Sequence, residues 1–122
     1  MKVLKVALPL LLFFTGACAS MNPPTQQLTE TETVIRQADQ IGAGDYAPLE
    51  LRQARQKLEQ ARAAYNNEDY EKAARLAERA KVDAELAQIK TLSGKAQLAV
   101  RELRESIKLL EEELSKRDSE NK

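Results

Sequence analysis

The sequence predicts an all-α fold: an antiparallel, alanine-rich helical hairpin within an elongated, coiled-coil-like three-helix bundle that has one long C-terminal helix. Two observations support this prediction. From Leu28 onward the apolar residues recur every three or four positions almost without interruption, which is the helical period. The polar break at 66–69 is short, and so short a connection makes consecutive helices antiparallel neighbours.

The predicted helices follow from the breaks between the periodic segments, and they cover about 29–41, 46–66 and 69–116. Two glycines interrupt the pattern at 42–45. Asp45 is expected to cap the second helix, with Pro48 in its first turn. Asp69 or Asn67 is expected to cap the third helix. The polar end of the chain, 118–122, is expected to form a disordered tail.

The second and third helices are predicted to meet along a seam where large residues face alanines. Folding the chain about 66–69 pairs residues whose numbers sum to about 135. The second helix then presents Leu51, Ala54, Leu58, Ala61 and Tyr65 to Ala84, Ala80, Ala77, Ala74 and Tyr70. Alanines let the two backbones approach closely while the larger residues fill the gap. Under the same rule Gly94 lies opposite Ile41, and the first helix lies along 94–106.

An apolar stripe near the C-terminal end is the candidate interaction site. Ile107, Leu110 and Leu114 are spaced by three and four residues, so they share one side of the third helix. Little of the chain is left to cover them. Because exposed apolar stripes mark interaction sites, we expect them to contact a second copy of the chain or another protein of the cell envelope.

The N-terminal residues 1–17 have the pattern of a secretory signal peptide. A lysine-containing start precedes an apolar run at 6–14, which is too short to span a bilayer. Small residues then lead to Cys18, the one cysteine of the chain. The segment Thr15–Cys18 resembles the lipobox of bacterial lipoproteins, although Thr15 stands where leucine is usual.

Lipidation at Cys18 is the interpretation that best fits this pattern. An unpaired thiol in an oxidising compartment is a liability unless it is chemically occupied, and several acyl chains would hold the protein on a membrane. Residues 18–28 then form a proline-containing tether. Ala19, where aspartate would favour inner-membrane retention, indicates the periplasmic face of the outer membrane rather than the inner membrane. The alternative is a periplasmic protein cut after Ala17 or Ala19.

Composition argues against catalysis and against nucleic-acid binding. The chain has 19 basic and 19 acidic side chains and no histidine, so nothing favours a nucleic-acid partner. The four glycines form no phosphate-binding loop. The carboxylates alternate with lysines and arginines at the spacing of a solvated helix surface. We therefore expect no catalytic residue, no metal and no cofactor other than the covalent lipid on Cys18.

A cadence of glycine, alanine and tyrosine elements resembles a bacterial lipoprotein family that carries DUF4398, a domain of unknown function. The matching residues are Gly42-Ala43, Tyr46-Ala47-Pro48, Leu51, Ala54, Leu58, Ala61, Asp69-Tyr70, Ala73 and the alanine-rich stretch 77–87. The resemblance implies a helical architecture and an envelope location. Some relatives look to be joined to a peptidoglycan-binding domain that this chain lacks, so no catalytic or binding residue carries over.

The sequence thus predicts a non-catalytic structural or protein-interaction lipoprotein. The alternative is a binding module for peptidoglycan or a small ligand. An exposed apolar stripe at 107–114 would favour the first function, whereas a polar cleft at 42–46 would favour the second.

Overall fold

The computed structural model describes residues 23–121, and this part of the chain is helical almost throughout and contains no strand. The all-α fold with one long C-terminal helix is confirmed. Four helices follow one another along the chain: α1 (Thr25–Gln40), α2 (Ala43–Tyr46), α3 (Pro48–Asn66) and α4 (Tyr70–Glu120).

Both ends of the helical domain extend further than the sequence predicts. Helix α1 begins at Thr25, so residues 25–28 are not part of a tether. Pro24 is buried just before this helix and its carbonyl accepts the amide of Leu28 at 3.1 Å; a proline at this position loses no helical hydrogen bond. Helix α4 continues to Glu120, so the prediction of a disordered tail at 118–122 is wrong for residues 118–120.

The short helix α2 reverses the chain between α1 and α3. Gly42 has φ 89°, a left-handed conformation that favours glycine, and its amide donates to the carbonyl of Asp39 at 2.9 Å. Asp45 lies inside α2, so it is not the cap of the next helix. Ala47 holds that position, with Pro48 in the first turn as the sequence predicts.

Helices α3 and α4 form the predicted antiparallel hairpin. Asp69 caps α4 by accepting the amide of Lys72 at 3.2 Å. At the turn the rings of Tyr65 and Tyr70 meet, with their centroids 5.6 Å apart. Farther from the turn the register differs from the prediction, because Lys57 pairs with Asp83, so the residue numbers there sum to 140.

The seam of α4 is made of small residues, and the larger residues come from the helices packed on it. Ala77, Ala80 and Ala84 are fully buried, as the sequence predicts. They contribute to the core together with apolar residues of α1 and α3, which include Ile35, Ala38, Leu51, Ala54 and Leu58.

Helix α1 lies along the N-terminal half of α4, not along 94–106, so that prediction is wrong. The hydroxyl of Thr31 donates to the carbonyl of Ala77 at 3.1 Å, and the amide of Gln88 donates to the carbonyl of Val34 at 3.1 Å. These contacts make α1 parallel to α4. The reason is α2, which folds the chain back so that α1 shares the alanine face already used by α3.

Ion pairs on the surface show that α1 runs antiparallel to α3. Arg62 pairs with Glu32 at 2.9 Å, and Arg55 pairs with Asp39 at 2.7 Å. The described chain therefore starts at the end of the bundle that carries the α3–α4 turn. Helix α4 leaves the bundle at the opposite end.

Candidate interaction surface

Among residues 23–121, no other helix packs along α4 beyond Gly94, where only Lys95 still reaches Tyr46 of α2. We call residues 95–120 the projecting segment, and every one of them is exposed. Helix α4 has 51 residues, which is about 76 Å at 1.5 Å per residue, and the projecting segment accounts for about 39 Å of that length.

A continuous row of mostly apolar residues runs along the exposed side of α4. Its members are spaced alternately by four and three residues, the heptad pattern of a coiled-coil seam. All of them are exposed in the structure. This α4 stripe consists of Val82, Leu86, Ile89, Ser93, Ala96, Val100, Leu103, Ile107, Leu110 and Leu114.

The α4 stripe lies opposite the face of α4 that is buried in the bundle. Val82 and Ala84 are two residues apart, about 200° of rotation around the helix axis. Ala84 is fully buried and Val82 is 53% exposed. The alanine face therefore holds α1 and α3, while the stripe faces away from them along the whole bundle and continues into the projecting segment.

Gly94 marks the point where the bundle ends. A Cβ atom at this position would lie 2.6 Å from Cδ1 of Tyr46, so the glycine lets the ring lie directly against the backbone of α4. Lys95 lies over the same ring, with Nζ 5.8 Å from its centroid. The sequence places Gly94 opposite Ile41, but the residue that lies against it is Tyr46 of α2.

The pKa of Glu50, at the start of α3, is shifted by a clear partner in the bundle. The hydrogen bond from Lys90 lowers the pKa of Glu50, and so does the backbone amide of Glu50 itself, against the opposing effect of burial. The side chain of Glu50 is 11% exposed. Its carboxylate and the ammonium of Lys90 pair across α3 and α4, an arrangement that stabilises the helix contact.

The polar cleft that would indicate a ligand is shallow. Beside α2 and α3 lies an open depression of about 410 Å³, lined by Gly44, Pro48, Leu51, Arg52, Arg55 and Gln56. Arg55 is held by Asp39 across the neighbouring groove. Among residues 23–121 each buried side-chain nitrogen or oxygen has a hydrogen-bond partner, and no three potential metal ligands cluster together.

The predicted site residues fall in two places. Ile107, Leu110 and Leu114 are 55%, 62% and 62% exposed, and they form the end of a stripe that starts 25 residues earlier, at Val82. The alternating spacing from Val82 could have indicated the longer stripe. Cys18, the signal peptide 1–17 and most of the tether lie outside the described residues. In residues 23–121 no helix has the length and apolarity needed to cross a membrane.

These features define a class: a small helical bundle whose last helix extends past the bundle. The model of a domain of unknown function, DUF4398, matches residues 26–103. The chain therefore belongs to the DUF4398 family, as the resemblance implies. The match includes the bundle and ends at Leu103, so Ile107, Leu110 and Leu114 lie beyond it.

A solved structure from the same family has a similar fold. The crystal structure of a DUF4398 family protein from Pseudomonas aeruginosa is 38% identical in sequence, with a TM-score of 0.73. The similarity covers 78% of this chain and 98% of the other. A search of the curated proteins gives no match.

Proposed function

We propose that this protein is a non-catalytic lipoprotein of the cell envelope that acts as a structural or interaction module, anchored through Cys18 to the periplasmic face of the outer membrane. The observation that carries the proposal is the α4 stripe, an apolar surface that no other part of the described chain covers. An apolar patch of this length on a solvent-exposed helix face is typical of a protein contact.

The direction of α4 supports an anchored arrangement. The described chain starts beside the α3–α4 turn, and α4 leaves the bundle at the other end. An anchor at Cys18 lies five residues before Pro23, so it holds the turn end of the bundle near the membrane. The projecting segment then reaches about 75 Å away from that end, where it presents the stripe to other molecules of the envelope.

The packing of the bundle supports a contact function more than a ligand-binding one. Alanines fill the seam between the helices, and ligand sites are usually enclosed clefts of several hundred Å³ that bury most of the ligand. The depression beside α2 and α3 is open instead. A binding module for peptidoglycan or a small ligand therefore stays the second candidate, and Arg52, which lines the depression, is the cation to test.

The anchor is tested by Cys18→Ser in cells fed with labelled fatty acid. We expect wild-type protein to carry the label and to pellet with the outer membrane, and Cys18→Ser to carry none and to remain as precursor or in the periplasm. As a matched variant, Ala19→Asp should keep the label and shift toward the inner membrane in an enteric-type host. Unlabelled wild-type protein that stays in the periplasm would refute the anchor.

The interaction is tested by a photo-crosslinking amino acid placed at Leu110 or at Leu109 in the anchored protein. The two leucines are 62% and 63% exposed, but only Leu110 belongs to the α4 stripe. We expect a discrete protein adduct from position 110 and little from position 109. Equal adduct formation at both positions, or none at either, would refute a contact through the stripe.

A further inference from the structure

The α4 stripe has the length and area of a coiled-coil interface. From Val82 to Leu114 it extends over about 50 Å. Its eight large apolar side chains are between 42% and 64% exposed. Together they expose roughly 800 Å² per copy, close to what each partner contributes to a standard protein interface. Two copies of α4 packed along this stripe would therefore bury enough surface for a specific dimer.

The residue types in the middle of the projecting segment favour two parallel strands. Alternate positions of the seam form two classes, the a and d positions of a heptad. Over 100–110, the middle of the projecting segment, the a positions hold Val100 and Ile107, and the d positions hold Leu103 and Leu110. At its two ends Ala96 is a d position and Leu114 is an a position. β-Branched residues at a with leucine at d favour parallel, two-stranded coiled coils.

The charges beside the stripe disfavour an antiparallel pair that uses its full length. In that arrangement Glu85 faces Glu113 of the second copy, and Lys90 faces Arg104 of the second copy, by the numbering of the heptads. Each of these pairs has like charges and occurs twice in a symmetric dimer.

A parallel pair in register has a better charge pattern over the same length. Glu85 then lies beside Lys90 of the second copy, which is an attractive pair at the flanking positions. The Lys90 side chain pairs with Glu50 of its own chain but is 50% exposed, so it can face Glu85 as well. Glu113 lies beside Asp118 of the second copy, but this pair falls at the end of the stripe. Charge complementarity therefore points to the parallel orientation.

We infer that the α4 stripe binds a second copy of this chain, giving a parallel, two-stranded coiled coil in which the two bundles lie side by side. The bundles do not obstruct this contact, because α1 and α3 pack on the opposite face of α4. This inference rests on the proposed function in one respect: the parallel arrangement places both N-terminal ends, and so both proposed anchors, on the same membrane.

Self-association is tested on the lipid-free mature chain, residues 19–122, by sedimentation equilibrium. This fragment includes helices α1 to α4 and every residue of the core described above. At about 100 µM we expect twice the monomer mass. Leu110→Lys places a charge in the apolar seam, so it should raise the dissociation constant of the dimer at least tenfold. Leu109→Lys, the matched control, should change it less than about twofold. A wild-type chain that remains a monomer would overturn the inference.

Orientation is tested by pulsed electron paramagnetic resonance with a spin label on Ser115→Cys. The fragment has no other cysteine, and Ser115 lies off the stripe. In the parallel dimer the two labels should be roughly 20 Å apart, whereas the full-length antiparallel pair would separate them by about 50 Å. A distance near 50 Å would overturn the parallel arrangement.

The two proposals fail in different ways. If the fragment is a monomer and position 110 still gives a heavier adduct in membranes, the second copy is wrong while the interaction module stands. If position 110 gives no adduct in membranes although the fragment dimerises, the interaction module is refuted in its cellular setting.

Discussion

The contact between Gly94 and Tyr46 allows a sharp test of how the bundle ends. In a helix interior, Gly→Ala stabilises by about 1 kcal/mol. At Gly94, however, the new Cβ would lie 2.6 Å from Cδ1 and 3.3 Å from Cε1 of Tyr46, well inside the normal carbon–carbon separation. The ring must therefore move away from α4 before the propensity gain can appear.

The cost of moving the ring follows from its burial. Tyr46 is 38% exposed, so it can swing outward, but most of its surface is now covered. Losing 60–100 Å² of that contact costs about 1.5–2.5 kcal/mol at 25 cal/mol per Å². Gly94→Ala should therefore destabilise the wild-type bundle by about 0.5–1.5 kcal/mol and stabilise the Tyr46→Ala bundle by about 1 kcal/mol. The difference between these two effects, about 1.5–2.5 kcal/mol, is the coupling energy between positions 46 and 94.

The assay is urea unfolding of the four proteins of this cycle at one concentration. The chain has no tryptophan, so the fluorescence of Tyr65 and Tyr70 at the far end of the bundle reports unfolding in all four. Gly44→Ala is the control, since no atom lies within 4 Å of a Cβ built there. If Gly94→Ala stabilises both backgrounds equally, the ring of Tyr46 does not rest on Gly94 and the reasoning is refuted.

Three further perturbations test the bundle. Ala84→Leu places a larger side chain at a fully buried position and should lower the unfolding free energy by about 1–3 kcal/mol, whereas the exposed control Arg79→Gln should change little in thermal melts; equal tolerance would contradict the seam. Asp69→Ala removes the cap of α4 and should cost about 0.5–2 kcal/mol, while Asp69→Asn, which keeps an accepting oxygen, should cost less. Folding lowers the pKa of Glu50 below its ordinary 4.5, so its ionised form stabilises the bundle above that pH and this stabilisation is lost as the pH falls. The melting temperature of Glu50→Gln should therefore decline less between pH 6 and about pH 3 than that of the wild type. Identical declines would show that Glu50 does not stabilise the bundle.

Much of the fold could be predicted because local signals set it. The alternating spacing of Leu51, Ala54 and Leu58 predicts the buried face of α3, and Asp69 predicts the start of α4. The path of α1 could not be predicted in the same way. It depends on α2, a four-residue helix whose direction follows from the left-handed conformation of Gly42 and from the contact of Tyr46 with Gly94. Neither of these two features produces a periodic pattern in the sequence.

The candidate site was predicted only in part for a related reason. Ile107, Leu110 and Leu114 stand out because they follow 94–106, the segment that the first helix was predicted to cover. Val82, Leu86 and Ile89 have the same spacing, but the sequence also places alanines at 80, 84 and 87, so α4 carries two apolar faces over this length. Which face is buried depends on where α1 and α3 pack, and in the structure they pack on the alanine face.

The central claim is that the α4 stripe is covered by another molecule in the envelope. Hydrogen–deuterium exchange of the anchored protein in isolated outer membranes tests it most directly, with peptides from the projecting segment as the readout. A helix without tertiary contacts exchanges quickly, whereas a helix held in an interface is protected. We expect residues 98–114 to be protected in the wild type and in Leu109→Lys, and to lose this protection in Leu110→Lys. Rapid exchange of this segment in all three proteins would contradict the central claim.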